Sequence, residues 1–309
     1  VDLPEEPAKT VSEKINRTAK KFVSKVKGIF RPITHSHKEV LINAESLETR
    51  VAVIVKGQLE NLTIERVDDL RMVGSIYKGK IRNLEDGLKA AFVDIGYDKN
   101  AFLHYWDIIP SRLDSAYVVV DRDANNKSKT KITNKDIPKK YPSGSELIVQ
   151  VTKGPIGTKG PRVTTNVLLP GRFLVLLPNA EQSGVSRKIE NKEERSRLKK
   201  IVRDLNIPDG MGIIIRTAGE GQRKAYFIRD LAMLIESWNQ ITERVHNQKG
   251  GSCVFEEPDL IERTVRDILT EDIERIVVDN STEADRVKEL IGRVSKRSIE
   301  KVHRYNYSE

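Results

Sequence analysis

The 309 residues predict an α+β, multidomain chain, and three features of the sequence carry that expectation. Alternation of apolar and polar side chains, the period of a half-buried strand, recurs between Lys38 and about Thr165. Helical spacing replaces it over Glu190–Leu205 and Lys224–His246. After Leu260 a helix–strand–helix order follows, which suits an α/β layer. The length is sufficient for two or three domains.

Residues 1–37 read as an extension outside the main fold. Pro4 and Pro7 open it, and Ile15, Ala19, Phe22, Val23, Val26, Ile29 and Phe30 then recur at helical spacing among Lys14, Lys20, Lys21, Lys25 and Lys27. Such a basic amphipathic helix can lie on an anionic membrane surface or on RNA, can pack on a partner, or can dock on its own protein. Residues 38–73 form a first unit, with Leu41–Ile42, Arg50–Val55 and Leu59–Ile64 as a strand meander and a turn at Gln58 beside Gly57.

Residues 74–165 read as a barrel. Within them, 121–143 is rich in Lys, Asn and Asp and too poor in apolar side chains to order itself, so a long loop is expected, with Lys127, Lys129 and Lys131 as optional phosphate contacts. Glu146–Lys153 resumes as a strand. The loop bearing Gly154, Gly157 and Gly160 is basic, but its spacing matches no nucleotide-binding loop. Residues 166–259 form a further unit: a strand over Arg172–Leu177, a charged helix ended by Pro208 and Gly210, a strand over Met211–Ile215, and the Lys224–His246 helix. The expected core of that helix is Tyr226, Ile228, Leu231, Leu234, Ile235, Trp238 and Ile241. Residues 260–309 close the chain with a helix over Leu260–Leu269, a strand over Glu274–Val278 and a helix over Ala284–Val294.

Function is most legible in the barrel. In Ala90–Ile95, the side chains of Ala91, Val93 and Ile95 share the inner face and Phe92 and Asp94 the outer one. After a turn at Gly96–Lys99, Ala101 and Leu103 face inward, and Phe102 and His104 outward. Two phenylalanines then meet on an outer surface among Lys78, Lys80, Arg82 and Lys89. An exposed ring in a basic field stacks on unpaired bases; the alternative is that the rings cover a neighbouring domain or loop. A net charge of +9 favours a polyanionic partner, although acidic residues are plentiful. Cys253 is the only cysteine, which excludes a disulfide framework and a Cys-Cys metal site within the chain and fits a reducing cytoplasm. No apolar run is long enough for a membrane span, and the start has no signal-peptide core. A cytoplasmic protein is expected, with inner-membrane association through the basic arm as the alternative.

The stretch Gly74–His104 resembles the ribosomal-protein-type RNA-binding OB fold, a five-stranded barrel. Together with Val40–Ala44 before it, Pro170–Val175, Gly184–Ile189 and Arg216-Thr217-Ala218-Gly219, it resembles the N-terminal half of the ribonuclease E/G family of bacterial endoribonucleases. That resemblance implies an RNase-H-like domain split into residues 38–73 and 260–309, with the barrel and a 5′-end sensor unit, 166–259, inserted between the parts. It implies single-stranded RNA with a 5′-monophosphate as partner, RNA processing and decay as the role, and a homo-oligomer in the full-length protein. By position, the resemblance makes Phe92 and Phe102 stacking residues and brings Lys80 and Lys153 to phosphate. His104 fits the wider barrel family and could instead cap the fold by a hydrogen bond. For the 5′-phosphate it implies Arg216, Thr217, Gly171, Val175 and Arg187, Val175 being open to reading as a plain core residue. Arginine grips phosphate by two parallel hydrogen bonds and a threonine hydroxyl adds a donor.

The family's chemistry uses magnesium held by an Asp-x-Asn motif and a further aspartate, which the resemblance places beyond the matched region. Asp279-Asn280 suits a tight bend rather than a metal, and Asp121-Arg122-Asp123 lacks a clustered partner. No catalytic residue and no metal ligand is assigned, magnesium being expected outside this stretch. The expectation is therefore a piece of a longer nuclease that binds RNA without cutting it. The rival is a non-catalytic RNA-binding adaptor.

Overall fold

The computed structural model describes residues 37–66, 71–108, 117–120, 133, 136–268, 273–294 and 296–305. The expected N-terminal helix and Lys127, Lys129 and Lys131 lie outside them. The chain opens with a meander: β1 (Lys38–Ala44), β2 (Glu48–Val55) and β3 (Gln58–Arg66), successive strands antiparallel. The β2–β3 turn is Lys56-Gly57, both residues with positive φ (52° and 76°). That geometry matches strand twist and favours glycine at the second site. Gln58, expected in the turn, is the first residue of β3, because two left-handed residues already reverse the chain. Val40, Ile42, Val51 and Val53 are buried on one face of this sheet.

The barrel follows. Its strands are β4 (Ile76–Glu85), β5 (Ala90–Asp94) and β6 (Ala101–His104), then, beyond an excursion, β8 (Glu146–Lys153) and β9 (Arg162–Thr164). The order β4-β5-β6-β9-β8 closes on itself through β4–β8 pairing, giving a closed five-stranded barrel consistent with an OB-like fold. Its core is the predicted inward set, Ala91, Val93, Ile95, Ala101 and Leu103, joined by Ile81, Tyr105, Val149, Val151 and Val163. Gly96 (φ 78°) turns the chain where it touches the 250s: a side chain there would meet the Gly251 carbonyl oxygen at 2.1 Å.

The excursion corrects two expectations. Strand β7 (Tyr117–Val120) lies inside the barrel's stretch of sequence, yet it pairs with β12 of the next sheet. The expected loop 121–143 ends in order: α1 (Ile137–Lys140) seats Ile137 in the barrel core with no exposed surface. A single well-placed isoleucine anchors a segment whose average composition is polar.

The next unit contains β10 (Leu169–Pro170), β11 (Leu174–Leu177), β12 (Ser183–Ser186), α2 (Lys192–Asp204), β13 (Gly212–Ile215) and α3 (Lys224–Asn247). Its sheet order is β10-β11-β13-β12-β7. Asn191 caps α2, its side-chain oxygen accepting from the Glu193 and Glu194 N–H groups. On α3 the buried face is Phe227, Asp230, Leu231, Leu234, Trp238 and Ile241. Tyr226 and Ile228, expected inside, are 45% and 52% exposed; Phe227, between them, takes the inward position. Strand β14 (Ser252–Phe255) then returns to pair with β4 at the barrel's edge.

The chain ends its described course with α4 (Leu260–Ile268), β15 (Ile273–Val278), α5 (Ser281–Val294), a 3₁₀ turn at Lys296–Lys301 and β16 (Val302–Arg304). β15 lies parallel to β1 and to β16, so the sheet order is β16-β15-β1-β2-β3. Helices α4 and α5 cover one face through Leu260, Ile261, Val265, Ala284, Val287 and Ile291. Closing this sheet across the long interval costs little extra entropy, because each doubling of a loop adds only about 0.6 kcal/mol. Asn280 caps α5, accepting from the N–H groups of Thr282 and Glu283. The Asp279 carboxylate accepts from Asn43 and from the Ala44 N–H. The pair serves as cap and inter-strand tie.

Candidate nucleic-acid interface

Strand register places the outer barrel residues in a row. Asn83, Phe92, Phe102, Arg162 and Lys153 follow one another across β4, β5, β6, β9 and β8. Phe92 and Phe102 are direct cross-strand partners, partly exposed, with ring centroids 6.0 Å apart and edge to face. The row turns along the chain from Phe102 to His104 (6.4 Å) and from His104 to Trp106 (5.8 Å). Trp106, absent from the residues expected here, is 69% exposed. Its signal was present: the in–out alternation of β6 continues for two residues into the 3₁₀ turn, with Tyr105 inward and Trp106 outward. The Tyr105 hydroxyl donates to Asp86 (3.1 Å), and burial, reinforced by Asp86, pushes its phenol up to about 12.

His104 caps that turn. Its Nδ1 accepts from the Trp106 N–H at 3.2 Å, so its proton resides on Nε2, which stays available as a donor. The cap is present, and the ring still faces outward.

The cations sort by what holds them. Lys78, expected at phosphate, is turned away: its ammonium donates to the Gln248 carbonyl (2.9 Å) and pairs with Glu146 (3.0 Å), and its side chain is only 15% exposed. It ties β4 to the loop before β14. Arg82 grips Asp94 through Nε and Nη2 (3.1 and 2.6 Å). A hydrogen bond from the Gly96 N–H, against a smaller effect of burial and with help from Arg82, holds that carboxyl below the usual range. Lys80 and Lys153 are exposed beside the aromatic row, and Arg162 lies between Phe102 and Lys153, paired with Asp107 at 3.0 Å.

A second constellation forms at one edge of the β11–β13–β12 sheet. Strands β12 and β13 are parallel, so Arg187 and Arg216 leave the sheet at the same end, and antiparallel β11 brings Gly171 there from the other direction. Thr217 is exposed in the 3₁₀ turn after Arg216. Arg187 is exposed, with no partner among the described residues. Arg216 is held on both sides by its Nη1, which donates to the Gly171 carbonyl and to Asp267 of α4 (2.7 Å). Val175 pairs with Ile214 on the sheet face opposite the main core, and both line a cleft of about 590 Å³ between this sheet and the barrel.

Buried Asp230, unmarked in the sequence, builds the Gly171 turn. It accepts from the N–H groups of Arg172 (3.2 Å), Phe173 (2.8 Å) and Leu174 (2.9 Å). Burial pushes its carboxyl up, against those three donors and the charge of Arg216. Gly171 must be glycine for this packing, since a Cβ would lie 2.8 Å from both Asp230 oxygens.

A closed barrel with an aromatic outer row, joined to a sheet edge bearing arginines, defines the class: a mixed α+β protein built around an OB-like barrel. Comparison with known proteins is specific. Residues 168–309 match the Ribonuclease E/G family. Ribonuclease G of Escherichia coli (strain K12) is 41% identical over 242 residues, 78% of this chain and 47% of that protein. Ribonuclease G and Ribonuclease E of Haemophilus influenzae are 38% and 36% identical, over 82% and 87% of this chain and 49% and 28% of their own lengths. The chain belongs to the ribonuclease E/G family. It spans about half the length of the Ribonuclease G relatives it matches.

Among the described residues, no group of three or more His, Cys, Asp or Glu side chains is placed to hold a metal ion. The magnesium implied by the family resemblance finds no fit there. No helix among them is long and apolar enough to cross a membrane.

Proposed function

We propose that this chain is the RNA-binding and 5′-monophosphate-sensing portion of a ribonuclease E/G-type endoribonuclease acting on single-stranded RNA. In this reading the β16-β15-β1-β2-β3 sheet with α4 and α5 is an RNase-H-like domain, and the barrel and the β11–β13 sheet are its insertions. The strand order and the parallel β1–β15 pairing support it.

The observation that carries the proposal is the outward row Phe92–Phe102–His104–Trp106 flanked by Lys80, Lys153 and Arg162. Unpaired bases stack on the rings while the cations meet the phosphates. The Phe92–Phe102 edge-to-face pair fixes both rings without consuming their outer faces. At the sheet edge, Arg216, Thr217 and Arg187 receive the terminal phosphate. Val175 is assigned with them on the neighbouring strand, and Gly171 sets the turn and supplies the carbonyl that holds Arg216. Lys78 is left out, because its charge is already satisfied within the fold. No hydrolytic step is derived from these residues.

The test is a titration of 3′-labelled single-stranded RNA bearing either a 5′-monophosphate or a 5′-hydroxyl. Removing both Phe92 and Phe102 (each to Ala) should weaken binding to either RNA by about 1–3 kcal/mol per lost stack. Arg216→Ala should abolish the preference for the monophosphate and leave 5′-hydroxyl binding intact. Unchanged titrations in a folded double mutant would remove the stacking surface, and an undiminished preference in Arg216→Ala would move the pocket elsewhere.

A further inference from the structure

The contact between Arg216 and α4 is not explained by RNA binding at the sheet edge. Its geometry is specific. A guanidinium carries five N–H donors in a rigid fork. In Arg216, the Nη1 hydrogens are taken by the Gly171 carbonyl and by Asp267 Oδ1. Nε and Nη2 have no partner among the described residues, and they form the edge able to make two parallel hydrogen bonds to a phosphate.

Asp267 is itself anchored. Arg266 donates Nε to its Oδ1 and Nη2 to its Oδ2, each at 3.1 Å. The remaining Arg266 nitrogen, Nη1, reaches Glu257 Oε1 at 3.2 Å, and the Glu257 N–H donates to Ser75 Oγ at 2.9 Å, at the foot of the barrel. Burial pushes the Asp267 carboxyl up, but bonds and charge from Arg266 and then Arg216 outweigh it and hold it below the usual carboxylate range. The carboxylate is therefore ionised and clamped at neutral pH.

We infer that Asp267 is a positioning residue for 5′-end recognition: clamped by Arg266, it fixes the Arg216 guanidinium so that its Nε/Nη2 edge faces the terminal phosphate. The inference rests on the reading of Arg216 as the phosphate-binding arginine. Two features favour positioning over competition. A carboxylate that stood in for the phosphate would sit on the Nε/Nη2 edge, whereas Asp267 sits on Nη1. A carboxylate meant to leave would be free to swing, whereas Asp267 is held on both oxygens. Orienting the fork beforehand removes part of the entropic cost of binding. It also makes the sensor's selectivity depend on α4, an element of another sheet.

Competition and positioning give opposite results in one experiment. Asp267→Asn keeps the shape and removes the charge. Its affinities for 5′-monophosphate and 5′-hydroxyl RNA are compared with those of the unaltered chain, with thermal melting as the check on folding. Positioning requires the monophosphate preference to fall by about tenfold, the worth of one charge-assisted hydrogen bond, while 5′-hydroxyl affinity stays the same. Asp267→Glu, which keeps the charge, should restore part of the preference, and it is the informative variant if Asp267→Asn does not fold. An unchanged preference in a folded Asp267→Asn, or a raised one, overturns the proposal; a raised one would make Asp267 a competitor. If the unaltered chain itself shows no monophosphate preference, the underlying reading of Arg216 fails first and the proposal falls with it.

Discussion

Trp106 is the most exposed ring of the barrel's aromatic row, and it offers a direct readout. The chain has only two tryptophans, and the other, Trp238, is 7% exposed in the core beneath α3. Quenching of fluorescence by single-stranded RNA should therefore report on Trp106. Trp106→Phe should remove the quenching while preserving affinity, and Trp106→Ala should lower affinity by about 1–3 kcal/mol. Quenching that survives in Trp106→Phe would mean the signal arises elsewhere. Asp230 acts inside the fold. Asp230→Ala would orphan three N–H donors, two of them buried, and should lower stability by on the order of 3 kcal/mol, read as a shifted denaturant midpoint. Asp267 ties stability to pH with a definite sign. Its folded-state pKa is depressed, so its contribution is complete above the ordinary carboxylate value of about 4 and is lost as pH falls through the lower folded value. Asp267→Asn should lower stability at neutral pH, where that contribution is complete, and flatten the acid limb, read as denaturant midpoints across pH.

Among the elements, the short ones are the least obvious from composition. The helix α1 exists because Ile137 is seated in the barrel. Ile137→Ala should cost about 2–5 kcal/mol and loosen the segment 136–145, which amide hydrogen exchange would detect. The β2–β3 hairpin depends on Gly57 at φ 76°. Gly57→Ala should cost on the order of 1 kcal/mol, with no effect on RNA binding, because the site lies on other sheets. Strand β7 is harder to foresee. Tyr117–Val120 alternates too briefly to declare a partner, and its pairing with β12 was decided by which open sheet edge lay within reach. On α3, Leu231, Leu234, Trp238 and Ile241 are buried as expected, and only the first turn differs, for a related reason. Tyr226, Phe227 and Ile228 are all apolar, so periodicity left the inward position ambiguous, and contact of Phe227 with Phe173, at 6.0 Å between ring centroids, resolved it.

At the level of the whole molecule, an aromatic surface and an arginine-bearing corner on separate sheets should, under the proposed function, make binding both salt-sensitive and end-selective. The logarithm of affinity should fall with the logarithm of salt concentration, by about 0.7 per phosphate neutralised on a single strand. Lys153→Ala should reduce that slope equally for both RNA ends. Arg216→Ala should reduce it for the 5′-monophosphate alone. The inner and outer faces of the barrel, and hence the aromatic row, could be read from the chain because strand alternation is a local, two-residue rule. So could the arginine-threonine pair at the end of an apolar strand, whose meaning came from resemblance. The fates of the charged side chains could not. Lys78 and Lys153 look alike in the sequence, but one is consumed by Glu146 and a carbonyl and the other is exposed. Asp230 and Asp267 look like ordinary surface acids, until α3 and α4 carry them to the Gly171 turn and to Arg216. A hydrophobic pattern specifies which face is buried; an ion pair is chosen by whatever distant residue arrives within a few ångströms, and that requires the assembled fold.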